Sequence, residues 1–154
     1  MLPLAMILHG QGARIVGSDR GCDQGRTPEK FAFLRQHGIA VVPQDGHGLT
    51  TDFDALVVSS AVEDTIPEVK RAKELGVPIL KRAELLASLF DAAGRRIGIG
   101  GTSGKSTTTG MLAWILTQAG QNPTVMNGAN FLNFVAPDTP FASALVGDKD
   151  LFVT

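Results

Sequence analysis

The sequence predicts an α/β protein of two successive units, each built on a mainly parallel sheet. Three observations carry this expectation. Short β-branched runs alternate with amphipathic helical stretches almost throughout the 154 residues. Most of the strand candidates are continuous apolar runs, as parallel strands covered on both faces should be. Glycine is abundant, 18 residues spread among the apolar runs, which fits tight strand-to-helix turns better than a linker. Strand, helix and strand in repetition imply right-handed crossovers in a parallel sheet.

The elements follow in order. The chain opens in an apolar helix over 3–9, and strands are expected over 14–18, 40–42, 55–59, 77–80, 96–100, 124–126, 143–146 and 151–154. Between them, Thr27 is placed to N-cap a helix with Pro28 at its first position, and Gly38 closes it. Thr65 is placed to open a helix over 66–75 that Gly76 ends. Leu85, Leu86, Leu89 and Phe90 form an apolar stripe on the next helix. Met111, Leu112, Ile115, Leu116 and Ala119 form another, ending at Gly120. The small-residue turn over 91–96 is the natural boundary, giving a first domain at 1–93 and the start of a second at 94–154.

Composition narrows the function. With 44% hydrophobic and 19% charged residues the chain is an ordinary globular protein rather than a disordered one. Its 14 basic and 15 acidic residues give a net charge of −1, which argues against nucleic-acid binding by a broad basic surface. No apolar run approaches the ~18 residues of a membrane span. The apolar start lacks the basic region and cleavage site of a signal peptide. Cys22 is the single cysteine, so an internal disulfide and a cysteine-based zinc cluster are excluded, and a cytoplasmic setting fits.

The strongest chemical signal is IGIGGTSGKSTTTGMLAWIL over 97–116: an apolar strand, a glycine-rich turn, lysine, hydroxyls and a helix. Gly100, Gly101 and Gly104 allow successive backbone N–H groups to wrap a phosphate without Cβ clashes. The helix N-terminus adds partial positive charge. Lys105 supplies a point charge for the β- and γ-phosphates and the Ser106 hydroxyl a ligand for Mg²⁺. The spacing departs from the general GxxxxGKS/T pattern, because Ile99 stands where the first glycine belongs. The loop is therefore a compact GTSGKST, comprising Gly101, Thr102, Ser103, Gly104, Lys105, Ser106 and Thr107.

Weaker signals lie in the first half. Ser18 and Asp19 follow a strand on the edge where doubly wound sheets bind ligands, and suit a ribose or base hydrogen bond. A strand-to-loop turn with Asp19 in water accounts for the same residues. Ser59, Ser60 and Ala61 open on the same edge after another strand and suit either close ligand approach or a plain turn. His47 sits in a polar loop, His9 and His37 at helix ends, and Trp114 beside the apolar stripe reads as packing.

Together these motifs resemble the Mur ligase family. The resemblance rests on Gly17-Ser18-Asp19, on the Ser-Ser-Ala-Val run from Ser59 through Pro67-Glu68, on the stretch from Pro78 to Ala87, and on the compact phosphate loop. It covers essentially the whole chain and implies a Rossmann-like UDP-binding domain followed by an ATP-binding domain. Against the three-domain family plan, the chain is expected to be a fragment that lacks the first strand and stops before the acidic Mg²⁺-binding stretch, inactive alone. The branch resembled joins L-alanine to UDP-N-acetylmuramate through an acyl phosphate in peptidoglycan synthesis. A recycling branch attaches a tripeptide to the same nucleotide sugar. A kinase or other NTPase and a silent nucleotide-binding module are the readings outside the family. The resemblance implies ATP and Mg²⁺ as cofactors, with no nucleic acid and no membrane partner. It makes Lys105 catalytic and Ser106 the metal ligand, with residues 101–107 on the ATP phosphates. Ser18, Asp19, Ser59, Ser60 and Ala61 would line the UDP-sugar site. Gly46-His47 resembles a family GH element, and Asn127-Gly128 an NG element near the substrate carboxylate.

Overall fold

The computed structural model describes residues 1–59 and 65–154. Its first element is α1 (Leu2–Gly10), followed by β1 (Val16–Ser18), α2 (Arg20–Asp23), α3 (Pro28–Gln36), β2 (Ala40–Val42) and β3 (Leu56–Val58). Then come α4 (Pro67–Leu75), β4 (Ile79–Lys81), α5 (Arg82–Ala92), β5 (Arg95–Ile97) and α6 (Lys105–Gln118). The chain ends with β6 (Pro123–Met126), a 3₁₀ turn at Leu132–Phe134, β7 (Ala144–Leu145) and β8 (Asp148–Val153). Two compact units result: Arg14–Leu85, and Met1–Ala13 together with Leu86–Thr154. The division falls inside α5, and α1 lies with the later unit against β6 and β7. The physical reason is burial: α1 is apolar on most sides, and Leu4 and Ile7 are buried.

In the Arg14–Leu85 unit β1 runs parallel to β2 with Ser18 beside Val42, and β3 parallel to β4 with Val58 beside Lys81. These are two short ladders of two strands each rather than one continuous ladder. Gly38 and Gly76 close α3 and α4 in left-handed conformations. The helix starts differ from expectation. Thr27 adopts φ 45° and makes no side-chain cap bond, so α3 begins on the geometry of Pro28 alone. Proline also moves the start of α4: Ile66 is held extended, as a residue before proline is, and the helix begins at Pro67 rather than at 66. A small core of Leu49, Ala72 and Val77 sits under α4, with Phe53, Leu56, Leu75 and Ile79 packed on it.

The other unit carries a four-stranded sheet in the order β5-β8-β6-β7. Its three main strands are parallel, and β7 pairs antiparallel with β6 at the edge. The mainly parallel α/β reading thus holds, with one antiparallel edge strand. Every residue of β6 is buried, as are Leu151, Phe152 and Val153 of β8, as continuous apolar strands in a covered sheet require. Ala113 of α6 packs with Val125, Phe131 and Val153. The expected stripe on α6 is rotated. Thr109, Leu112, Ala113 and Leu116 turn toward the sheet, whereas Met111 and Ile115 are 62% and 58% exposed. Spacing of i and i+4 marks both sets equally, and the strand the helix packs on selects the one with the small alanine at its centre. Among the described residues no helix is long and apolar enough to cross a membrane.

Candidate functional site

The phosphate loop leaves the carboxyl end of β5. Main-chain bonds from Thr154 N–H to Ile97 O (3.0 Å) and from Ile99 N–H to Thr154 O (2.7 Å) extend the β5–β8 ladder to its start. The backbone then turns through Gly101 at φ 148° and Gly104 at φ 77°, conformations that L side chains rarely adopt. Gly104 is the N-cap of α6, so Lys105, Ser106 and Thr107 form the first helical turn. Residues 100–108 are exposed, and the free N–H groups of that turn add to its positive potential.

Lys105 is folded back on the loop. Its Nζ donates to Gly101 O at 2.5 Å and to Thr102 O at 3.5 Å. An ammonium on a flexible stem can exchange these carbonyls for phosphate oxygens without backbone movement. Two side chains behind the loop fix the helix start. Thr109, buried, donates its hydroxyl to Lys105 O at 2.9 Å. Asn127, at the end of β6, donates its amide to Ser106 O at 3.3 Å. Gly128 lies beside the Ser106 hydroxyl, with an ideal Cβ there only 3.8 Å from Oγ. Thr109 and the bond from Asn127 escape sequence reading. The first looks like an ordinary helix residue, and the second joins positions 21 residues apart.

Among the described residues no group of three His, Cys, Asp or Glu side chains is placed to hold a metal ion. The exposed Ser106 hydroxyl fits a divalent cation as one ligand beside phosphate oxygens and water.

The nucleotide-sugar candidates lie in the Arg14–Leu85 unit. Ser18 ends β1, and Asp19 N-caps the short α2, its Oδ1 accepting from Gly21 N–H at 2.7 Å. That bond commits one oxygen of Asp19 to the chain. Ser59 follows β3 and is exposed, while Ser60 and Ala61 lie outside the described residues. The loop after β2 reaches the same end of the unit: Gly46, at φ 81°, sits so close to Pro67 O that a Cβ would lie 3.0 Å away. Next in that loop, His47 donates its N–H to Asp45 Oδ1 at 2.9 Å, and its ring Nδ1 lies 3.3 Å from Oδ2. The backbone bond is the main reason the Asp45 carboxyl is held below the usual carboxylate range. Glu68, in the first turn of α4, is only 7% exposed, and among the described residues neither carboxylate oxygen has a hydrogen-bond partner.

A glycine-lysine-serine loop at the carboxyl edge of a mainly parallel sheet, in a chain whose other unit is built of short parallel ladders, defines an α/β protein with a candidate phosphate loop. Residues 1–93 match the family described as Mur ligase family, catalytic domain, and the chain belongs to that family. A relative from Streptomyces avermitilis, UDP-N-acetylmuramate–L-alanine ligase, is 38% identical over 99% of this chain and 31% of its own length. The protein of the same name from Mesorhizobium japonicum is 39% identical over 83% of this chain and 26% of its own. Among solved structures, UDP-N-acetylmuramate-alanine ligase from Thermotoga maritima superposes with a TM-score of 0.81 at 28% identity, covering 99% of this chain and 34% of that one. The UDP-N-acetylmuramate:L-alanyl-gamma-D-glutamyl-meso-diaminopimelate ligase from Neisseria meningitides gives 0.79 at 26% identity, covering 98% and 47%. The chain spans about a third of the length of the curated relatives it matches.

Proposed function

We propose that this chain is the nucleotide-handling part of a cytoplasmic, ATP-dependent ligase that joins L-alanine to UDP-N-acetylmuramate in peptidoglycan synthesis. The observation that carries it is a likeness to L-alanine ligases over 99% of this chain, which carries a lysine and a serine at the helix start after its glycine loop. In this reading residues 1–93 hold the UDP moiety and residues 94–154 begin the ATP-binding domain. Ser18, Asp19, Ser59, Ser60 and Ala61 are assigned to the nucleotide sugar, and residues 101–107 to the ATP phosphates.

The reaction has two steps. A carboxylate oxygen of the sugar's lactyl group takes the γ-phosphoryl as the bond to ADP breaks, giving an acyl phosphate. The amine then bonds to the acyl carbon, phosphate leaves, and the nitrogen gives up its proton. Gly101 to Gly104 present backbone N–H groups to the phosphates, and the first turn of α6 adds its dipole. Lys105 leaves the carbonyls of Gly101 and Thr102 and neutralises charge on the phosphoryl group in transit. Ser106 would hold Mg²⁺, which when bound would supply charge neutralisation to the phosphoryl transfer.

A second reading has a specific observation behind it, the 0.79 likeness to a tripeptide-adding ligase. Intact protein incubated with ATP, Mg²⁺ and UDP-N-acetylmuramate, with either L-alanine or the tripeptide, separates the two by mass spectrometry of the amide. Product with L-alanine alone is expected. Product with the tripeptide alone would transfer the chain to the recycling branch, and ATP consumption without any amide would make it a different phosphoryl-transfer protein.

A further inference from the structure

Asn127 is buried, 7% exposed, yet no step of the proposed reaction uses it. Its main-chain N–H donates to Ser143 O at 3.0 Å, which seats it at the end of β6 next to the edge strand. Its side chain bonds twice more. Oδ1 accepts from Gly128 N–H at 2.9 Å, and Nδ2 donates to Ser106 O at 3.3 Å. A backbone N–H only donates and a carbonyl only accepts, so these partners fix which way the carboxamide points. The turn after one strand, β6, is thereby tied to the helix start that follows another, β5. That helix start carries Ser106, whose hydroxyl faces Gly128 across the same gap.

We infer that Asn127 is a positioning residue for the ATP site, holding the first turn of α6 so that Ser106 would be placed to hold Mg²⁺. The inference rests on the phosphate-loop reading above. Thr109 anchors the carbonyl of Lys105 from within the helix, and that bond would survive any rigid rotation of α6. Asn127 bonds from outside the helix, so its bond sets the helix start against the sheet.

The test is nucleotide binding by the intact protein, by calorimetry, with ATP plus Mg²⁺ and with ATP plus EDTA. Asn127→Ala is expected to weaken Mg²⁺-dependent binding by about 3- to 10-fold, the worth of one ordinary hydrogen bond. Binding of ATP in EDTA should fall by less, because Lys105 reaches the phosphates on a flexible stem whereas the metal contact depends on where Ser106 sits. Ser106→Ala combined with Asn127→Ala should bind no worse than Ser106→Ala alone, since the two act through one hydroxyl. Amide exchange in the nucleotide-free protein should quicken over residues 106–110 and stay unchanged in β8. If the alanine variant does not fold, Asn127→Asp keeps the size and the bond from Gly128 but turns an oxygen to Ser106 O, and the same pattern is expected. Equal loss with and without Mg²⁺, no loss at all, or additive effects of the two substitutions would overturn the inference. Failure of the underlying reading looks different: the unmodified protein would not bind ATP with Mg²⁺, or Lys105→Ala would bind it unchanged.

Discussion

Lys105 donates to two loop carbonyls, which phosphate oxygens would replace in the proposed reaction, so its importance should show in the rate rather than in folding. Lys105→Ala in the intact ligase is expected to slow amide formation by about 100- to 1,000-fold, as loss of a comparable transition-state donor does. The melting temperature should stay near that of the unaltered protein, because the side chain is exposed. Turnover within a few-fold of the starting value would remove Lys105 from the mechanism. Asp45 offers a second test of a single group. The His47 main-chain N–H, ahead of the imidazole, depresses its carboxyl. His47→Ala should therefore leave most of that depression in place in an NMR titration, and a return to the ordinary value would assign it to the ring instead. A depressed carboxyl stabilises the fold above its unfolded pKa and loses that contribution as pH falls through the folded value. The Asp45 effect thus belongs to the acid side alone.

Elements test burial. Glu68 stands in the first turn of α4, where the helix dipole favours a carboxylate by roughly 0.3–1 kcal/mol. Against this, a buried charge without a partner costs several kcal/mol. Among the described residues the buried carboxylate has no hydrogen-bond partner, so Glu68→Met, of similar shape, should raise stability by about 1–3 kcal/mol in urea unfolding. Destabilisation of more than about 1 kcal/mol would mean that the carboxylate is satisfied in solution. On α6 the contrast runs between faces. Ile115→Lys should change the stability of this chain by less than about 0.5 kcal/mol, whereas Val153→Ala in the core should cost about 1.5 kcal/mol or more. Similar costs at the two positions would restore the stripe expected from spacing. That stripe shows where sequence reading stops. The loop over 101–107 was legible because its glycines, lysine and hydroxyls act locally and in order. The buried face of α6 was not, because Leu112 and Leu116 lie on the boundary between two candidate faces and only β6 and β8 choose between them. The bond from Asn127 to Ser106 was hidden for the same reason, being made by tertiary closure.

Across the whole chain the two proposed ligand sites fall in different compact units, the UDP-sugar candidates in Arg14–Leu85 and the candidate phosphate loop in the unit containing Leu86–Thr154. Both sit where parallel strands end, which is where open α/β sheets bind ligands, since backbone groups and helix N-termini converge there. A ligand stabilises the conformation it binds by about 2.7 kcal/mol at a hundred times its dissociation constant. Openings that expose its contact residues should be suppressed, and openings elsewhere should not. In hydrogen exchange of the intact protein, UDP should therefore slow amides around Ser18, Asp19 and Ser59 and leave residues 101–110 nearly unchanged. ATP with Mg²⁺ should do the reverse, with the largest protection over Gly101 to Ser106. Protection of the 101–107 loop by UDP, with the ends of β1 and β3 exchanging freely, would show that the first half does not hold the nucleotide sugar. The assignment of Ser18, Asp19 and Ser59 would then fall, while that of Lys105 and Ser106 would still be decided by the ATP arm.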